Sequence, residues 1–260
     1  MNQPKPALIS EELLDRLNVI ATAETIDLNA VSQVEFRARS LLKLRAASYY
    51  CVMGACACIR GDKEKVIEYF DEAVRLEPGA EALDNYSLSL QYLGEYHLLV
   101  EQARKFVKQF PTNLSVLMTA WSWFREYASI PDLVETERLM NIINGNSEMV
   151  YETDKTAAAL SARNLTHEDL SNVLFAARNF LRDKGLFHAV SNNYYSASED
   201  EPLIAIRYIF KRDPDELFEM EVELMKSLID LRLPAYEANA VCVYLANQSD
   251  RVVLDADHAH

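Results

Sequence analysis

Hydrophobic residues recur at helical spacing through the first half of the chain. The first such face consists of Leu13, Leu14, Leu17 and Ile20. This face predicts a helix over residues 11–22, with Ser10 as its N-cap because a serine hydroxyl can accept from the first backbone N–H groups. Asn29 is the expected cap of the next helical stretch, which should continue with little interruption towards Arg60. A break near Arg45 is allowed by the pattern, although no glycine or proline marks it.

A segment of constant length is then repeated. The interval from Gly61 to Gly94 equals the interval from Pro78 to Pro111. Each glycine opens a segment of helical periodicity that ends at the corresponding proline. Because glycine readily turns the chain at the end of a helix and proline stops one, the pattern predicts helix, glycine turn, helix and proline stop, twice over. A fixed period of this length is typical of stacked helical units.

The residues at fixed positions of this repeat carry a family resemblance. In the first copy the aromatic, small, turn and terminating positions are Tyr50, Gly54, Gly61, Phe70, Ala73, Leu76 and Pro78. In the second copy the corresponding residues, besides the glycine and proline, are Leu83, Ser87, Ala103 and Phe106. The segment resembles the tetratricopeptide repeat (TPR) family, clearly over residues 47–112 and more weakly over about 30–144. The resemblance implies that Gly54 lets the paired helices approach closely and that Phe70 fills the space beside it.

A third helix pair is expected at Leu114–Tyr127 and Pro131–Ile143, as a further repeat or as a cap. The resemblance also implies a concave groove, lined by the first helix of each pair, where an extended peptide or a helix can lie. The implied groove residues are Ser48, Cys51, Ala55, Cys58, Asp84, Asn85, Leu88, Gln91 and Tyr92.

The groove composition favours an apolar or amphipathic ligand. Some TPR domains hold a partner's C-terminal carboxylate with Lys and Asn, and Cys51 and Ala55 stand at those positions here. Tyr92, Trp121 and Trp123 are candidate aromatic anchors, because such side chains often dominate binding energy. The alternative for the two tryptophans is a place in the core.

The second half of the chain has a different pattern. The turn residues Asn144–Ser147 favour a domain boundary, which gives a TPR-like domain over 1–145 and a second domain over 146–260. In the second domain we expect a helix opened by a capping box at Thr166–Asp169, strands at Val190–Tyr195, Leu203–Phe210 and Ala240–Ala246, and a helix from Asp213. The fold class is therefore expected to be mainly α, with an N-terminal TPR-like helical hairpin array followed by a small α+β unit.

Charge and cysteine content narrow the classes of partner. The formal net charge is −14 and the isoelectric point is about 4.8, so binding to nucleic acid or to an anionic membrane is not expected. Cys51, Cys56 and Cys58 lie in one apolar stretch and are expected to be small buried residues rather than disulfide or zinc ligands. No apolar signal core or membrane-spanning stretch is seen, which favours a cytoplasmic protein.

The sequence contains none of the common nucleotide-binding, hydrolase or metalloprotease motifs. It contains no GxGxxG, Walker, GxSxG or HExxH pattern. The acidic run Glu199–Glu201 is interpreted as a solvated loop, and the terminal Asp255–His260 as too poorly preorganised to hold a metal ion. We therefore expect no cofactor, no metal site and no enzymatic activity.

The expected function is that of an adaptor or scaffold that binds a protein or peptide segment in the groove. One alternative is a regulatory or secretion-type chaperone that acts on one dedicated partner. Another is an enzyme with an unrecognised site in the C-terminal domain. Homodimerisation through that domain is a further hypothesis, because the apolar strand Ala240–Ala246 would be an aggregation hazard at an open sheet edge.

Overall fold

The computed structural model describes residues 6–23, 25–145, 153–186, 190–195 and 203–247. The chain divides into two compact units, Met1–Thr119 and Ala120–His260. The fold class agrees with the expectation, because an array of helices is followed by a small α+β unit. The domain boundary expected at residue 145 stays a prediction.

Helices make up the described part of the first unit. They are α1 (Pro6–Ala21), α2 (Leu28–Ala38), α3 (Ala46–Ile59), α4 (Lys63–Leu76), α5 (Ala80–Leu93), α6 (Tyr96–Gln109) and the start of α7 (Leu114–Glu126), with a short 3-10 helix at Leu41–Lys43. The interval between the starts of α3 and α5 is nearly the same as that between the starts of α4 and α6. The helices therefore follow each other with the period that the sequence predicts.

The turns inside the two hairpins follow from glycine. Gly61 between α3 and α4 has a φ of 72°, and Gly94 between α5 and α6 has a φ of 75°. Both values lie in the left-handed region, where a residue with a Cβ atom is strained. α4 and α6 end shortly before Pro78 and Pro111. The expected order of helix, glycine turn, helix and proline stop is confirmed in both hairpins.

Two expected helix caps were placed wrongly. α1 begins at Pro6, so Ser10 lies inside the helix and is buried. Proline suits the first helical position, because its fixed φ matches a helix and its missing N–H would have no partner there. At α2 the cap is Asp27, whose carboxylate accepts from the backbone N–H groups of Asn29 and Ala30 at 2.9 and 3.1 Å.

Aromatic rings join the two hairpins. A Cβ atom added at Gly54 would lie 2.5 Å from the ring of Phe70, so the expected close approach at this glycine is confirmed. The Phe70 ring stacks on Tyr86 of α5, with ring centroids 5.0 Å apart, and Tyr86 lies 6.0 Å from Phe106 of α6. All three rings are buried, so this row forms the centre of the repeat core.

The second unit combines helices with one sheet. Its described elements after α7 are α8 (Ile130–Ile143), α9 (Thr153–Ala162), α10 (His167–Asp183), β1 (Val190–Tyr195), β2 (Ile204–Phe210), α11 (Pro214–Asp230), α12 (Pro234–Glu237) and β3 (Val241–Asn247). β1 pairs with β2 antiparallel, and β2 pairs with β3 parallel. The three expected strands, the third helix pair and the capping box at Thr166 are confirmed.

The sheet has one covered face and one partly open face. Alternate residues of β2 are buried, and Ile204 pairs in register with the buried Val241 of β3. On the opposite face Cys242 is half-buried and Tyr244 is exposed. β2 and β3 are therefore buried on one side and partly buried on the other, as their apolar sequences predict.

Candidate partner-binding surface

α3 contributes the first four expected groove residues, and the structure buries most of their area. Ser48, Cys51 and Cys58 are 2, 3 and 5% exposed, and Ala55 is half-buried. α3 is apolar around most of its circumference and contacts α1, α2, α4 and α5. The thiol of Cys58 donates to the backbone carbonyl of Ser89 in α5 at 3.4 Å. α3 is thus a central helix of its unit, with little side-chain surface left for a partner at these positions.

Burial also fixes the chemical state of the α3 cysteines. Desolvation raises the pKa of Cys51, Cys56 and Cys58 to about 12 in each case. Each side chain is therefore a neutral thiol near neutral pH, and a neutral thiol is a poor nucleophile and a poor metal ligand. The expectation that these three are small buried residues is confirmed.

α5 contributes the other five expected groove residues, and these remain accessible. Asp84 and Leu88 are exposed, while Asn85, Gln91 and Tyr92 are half-buried. Their spacing puts all five on one face of the helix. Leu88 is 48% exposed in the middle of that face, with polar neighbours one turn away on either side. This surface, which we call the α5 face, combines one apolar centre with a polar border.

The α5 face carries neutral hydrogen-bonding groups as well as one carboxyl group. Desolvation raises the pKa of the Tyr92 hydroxyl, and the nearby Cys58 thiol adds a smaller effect in the same direction. Desolvation also raises the pKa of the Asp84 carboxyl. The side-chain amide of Gln91 donates to the hydroxyl of Ser87 at 3.2 Å, which fixes its orientation on the helix. These groups can form hydrogen bonds with a peptide backbone at the border of Leu88.

A small cavity lies at the beginning of α3 and α5. Its lining residues are Arg45, Ala47, Ser48, Cys51, Glu77, Gly79, Glu81 and Ala82. The guanidinium of Arg45 donates two hydrogen bonds to Glu77, at 3.0 and 2.6 Å, and one to Glu81 at 3.2 Å. The volume of about 40 Å³ suits one or two water molecules rather than a metabolite. It brings together two expected groove residues, Ser48 and Cys51, but makes no substrate pocket.

The two candidate tryptophan anchors, which both lie in the second unit, differ in burial. Trp123 is buried, so it is a core residue. Trp121 is half-buried, its indole N–H donates to Glu137 at 2.9 Å, and the guanidinium of Arg125 lies 5.2 Å from its ring centre. The core interpretation is thus confirmed for Trp123.

Among the described residues, no group of three or more His, Cys, Asp or Glu side chains is arranged to hold a metal ion. The acidic run Glu199–Glu201 and the terminal Asp255–His260 lie outside the described residues. No helix in the described ranges is long and apolar enough to cross a bilayer.

No family model matches the chain, and no curated protein or solved structure matches it either. The TPR resemblance therefore depends on the residues quoted above and stays a prediction. The structure shows repeated helices with the period that the sequence predicts.

Sequence reasoning did not single out two exposed apolar regions. Met118 is 57% exposed and has the same place in α7 that Asp84 has in α5. On α11, Phe218 and Ile229 are 69 and 59% exposed. Their helical spacing was the available signal, but spacing alone does not distinguish an outward apolar stripe from a core stripe.

Proposed function

We propose that this protein is a non-enzymatic adaptor or scaffold that binds a protein or peptide segment on the α5 face of its TPR-like hairpins. The observation that carries the proposal is the exposure of Leu88 among accessible polar residues of one helix face. An apolar anchor with a hydrogen-bonding border is a common composition for a peptide site. A cytoplasmic location is part of the proposal, in keeping with three unpaired cysteines in the core.

The proposal places the binding site mainly on α5. The ligand would then not contact Ser48, Cys51 and Cys58, because these α3 residues are buried. Their role would be to pack in the core against which α5 lies. The acidic Asp84 at the border favours a ligand whose apolar residues are followed by a Lys or Arg.

The test is site-specific photocrosslinking in the cells that express the protein. A photoreactive phenylalanine analogue replaces Leu88 in one variant and Leu42 in the control. Leu42 is 46% exposed in the short 3-10 helix, so the two positions are matched in accessibility. We expect a discrete crosslinked partner from position 88 that is missing from position 42.

The crosslinked partner should also be retained by the purified wild-type chain and lost by the Leu88→Glu, Tyr92→Glu double variant. Circular dichroism must first show that this variant is folded. Equal crosslinking from both positions, or equal retention by both proteins, would show that the α5 face is not the binding site.

Among the alternatives, a chaperone dedicated to one partner would crosslink to the same protein under every growth condition. An adaptor or scaffold would crosslink to a set of proteins that share a segment.

A further inference from the structure

α11 of the second unit has two apolar stripes instead of one. The first comprises Leu217, Met220, Leu224 and Leu228, which are all buried. The second comprises Phe218, Val222, Met225 and Ile229, of which Val222 is half-buried and the other three are exposed. Successive residues of a helix are about 100° apart, so the second stripe is centred roughly a third of a turn from the first. We call this second stripe the outer α11 stripe.

The outer α11 stripe is too regular for scattered surface residues. Its members are spaced at i, i+4, i+7 and i+11, which is the spacing of a helix that packs against another helix. Phe218 and Ile229 are among the most exposed large apolar side chains in the described part of the chain. Single exposed apolar residues are ordinary, whereas an aligned row marks a contact surface.

The charges beside the stripe are acidic. α11 contains six acidic residues and one lysine. Two of the acids, Glu216 and Glu223, form ion pairs with Arg212 and Lys184 on the side of the helix away from the stripe. Asp215 and Glu219 border the N-terminal half of the stripe on one side, where Lys226 follows them beside the C-terminal half, and Glu221 borders the stripe on the other side. An apolar row between acidic borders is complementary to an apolar row between basic borders.

The neighbouring sheet edge argues against an added strand as the occupant. β3 is the last strand of the described sheet, and its register with β2 turns the N–H of Leu245 away from β2. That N–H donates to the Glu221 carboxylate at 2.8 Å. A charged side chain therefore occupies the edge where a new strand would have to pair, which is one way that proteins block edge-to-edge association.

A second copy of the chain is also a poor occupant. Two α11 helices packed on their outer stripes would bring together two helices that each contain six acidic residues and one lysine, in molecules that each carry a formal charge of −14. Like charges across an interface oppose association, whereas lysines or arginines on the partner would neutralise Asp215 and Glu219.

We propose that the outer α11 stripe, with its acidic borders, is a docking surface for a basic amphipathic helix of a partner protein. Phe218 and Ile229 are the apolar anchors at its two ends. Asp215 and Glu219 select for basic residues beside the partner's apolar row. This surface belongs to the second unit and the α5 face to the first, so the chain would hold two different partner segments.

The test uses two labelled helical peptides and the full chain. Both peptides have about 18 residues, or five turns, and the same leucine row, and they differ only in having Lys or Glu at the positions beside that row. Fluorescence anisotropy measures binding. We expect the Lys peptide to bind about tenfold or more tightly than the Glu peptide, because only the former neutralises the acidic borders.

A matched pair of variants localises the binding. Phe218→Ser, Ile229→Ser should weaken the Lys peptide about tenfold or more, whereas Val19→Ser, Phe36→Ser should change it less than about twofold. Val19 and Phe36 are 71 and 69% exposed on α1 and α2, so the control removes similar apolar area. Asp215→Lys, Glu219→Lys should reverse the preference between the peptides. Equal binding of both peptides, or equal losses in both double variants, would overturn the proposal.

Light scattering of the unmodified chain tests whether a second copy of the chain occupies the outer α11 stripe. A concentration-independent monomer is the expected result. A dimer that Phe218→Ser, Ile229→Ser converts to a monomer would overturn the proposal and assign the stripe to a second copy of the chain.

Discussion

α3 and α5 hold the same place in consecutive hairpins, yet they present very different surfaces. The expected groove residues of α3 are buried or half-buried, whereas α5 exposes Leu88 and Asp84. α3 contacts α1 and α2 as well as α4 and α5, whereas α5 contacts α3, α4 and α6. A position in the repeat therefore predicts the direction in which a side chain points. How much of that side chain is exposed depends on the helices that pack beside it.

The largest expected effect on stability is the difference between two single variants that place an aspartate on α3 or on α5. Cys58→Asp would bury a carboxylate beside the Ser89 carbonyl oxygen, so the free energy of unfolding should fall by about 3 kcal/mol or more. Leu88→Asp should cost no more than about 1 kcal/mol, because the side chain is already 48% exposed. Urea unfolding followed by far-ultraviolet circular dichroism measures both. Equal losses would mean that the two helices are equally buried.

A smaller effect is expected at the closest helix contact of the first hairpin. Gly54→Ala places a Cβ atom 2.5 Å from a ring carbon of Phe70. We expect a loss of about 1–3 kcal/mol from overpacking, although alanine favours a helix by about 1 kcal/mol over glycine. Ser87→Ala, at the corresponding position of the second hairpin, should cost less than about 1 kcal/mol.

Urea unfolding followed by far-ultraviolet circular dichroism also measures this second pair of variants. Adding Phe70→Leu to Gly54→Ala should restore part of the lost stability, because the smaller side chain leaves room for the new methyl group. No recovery in the double variant would indicate that the ring contact is not the cause of the loss.

The smallest effect is expected at the ion pair that joins the ends of the first hairpin. The hydrogen bond from Arg45 lowers the pKa of Glu77 below the ordinary value of 4.5. Because the folded-state pKa is the lower one, the pair stabilises the fold at neutral pH and loses its effect as the pH falls below 4.5. Glu77→Gln should therefore cost about 0.2–1 kcal/mol at pH 7 and low salt, and less at pH 3.

The control for this pair is Glu72→Gln, which removes an ion pair with Arg75 inside α4. It should cost no more than Glu77→Gln, since a local pair joins no separate elements. A loss at Glu77 that is equally large at pH 3 would show that the carboxylate charge is not responsible.

Local signals account for most elements that the sequence predicted well. The capping box at Thr166 marks the start of α10, and Gly185, with a φ of 73°, lies just beyond its end. These features act within one or two turns of chain, so they can be recognised without the fold. β2 and β3 are likewise marked by almost continuous apolar runs and β1 by a weaker one, and all three expected strands were confirmed.

Prediction failed where two local signals compete. At the start of α1, Ser10 and Pro6 are both suitable beginnings, and the longer helix forms. At α2, Asp27 and Asn29 are both suitable caps, and the aspartate accepts two backbone N–H groups. The pattern also gave no expectation for α9 and α12, which have weak apolar periodicity or are only four residues long.

The sequence was sufficient for the order of elements, the repeat period and the glycine turns, because these depend on dihedral preferences and on spacing along the chain. It could not give the accessible area of a side chain, which depends on residues far away in sequence. The Cys58 thiol donates to the carbonyl of Ser89 in the next hairpin, and the Leu245 N–H donates to the carboxylate of Glu221 in α11. Phe218 and Leu217 are adjacent in the sequence and similar in hydrophobicity, yet only packing against the rest of the second unit buries one and exposes the other.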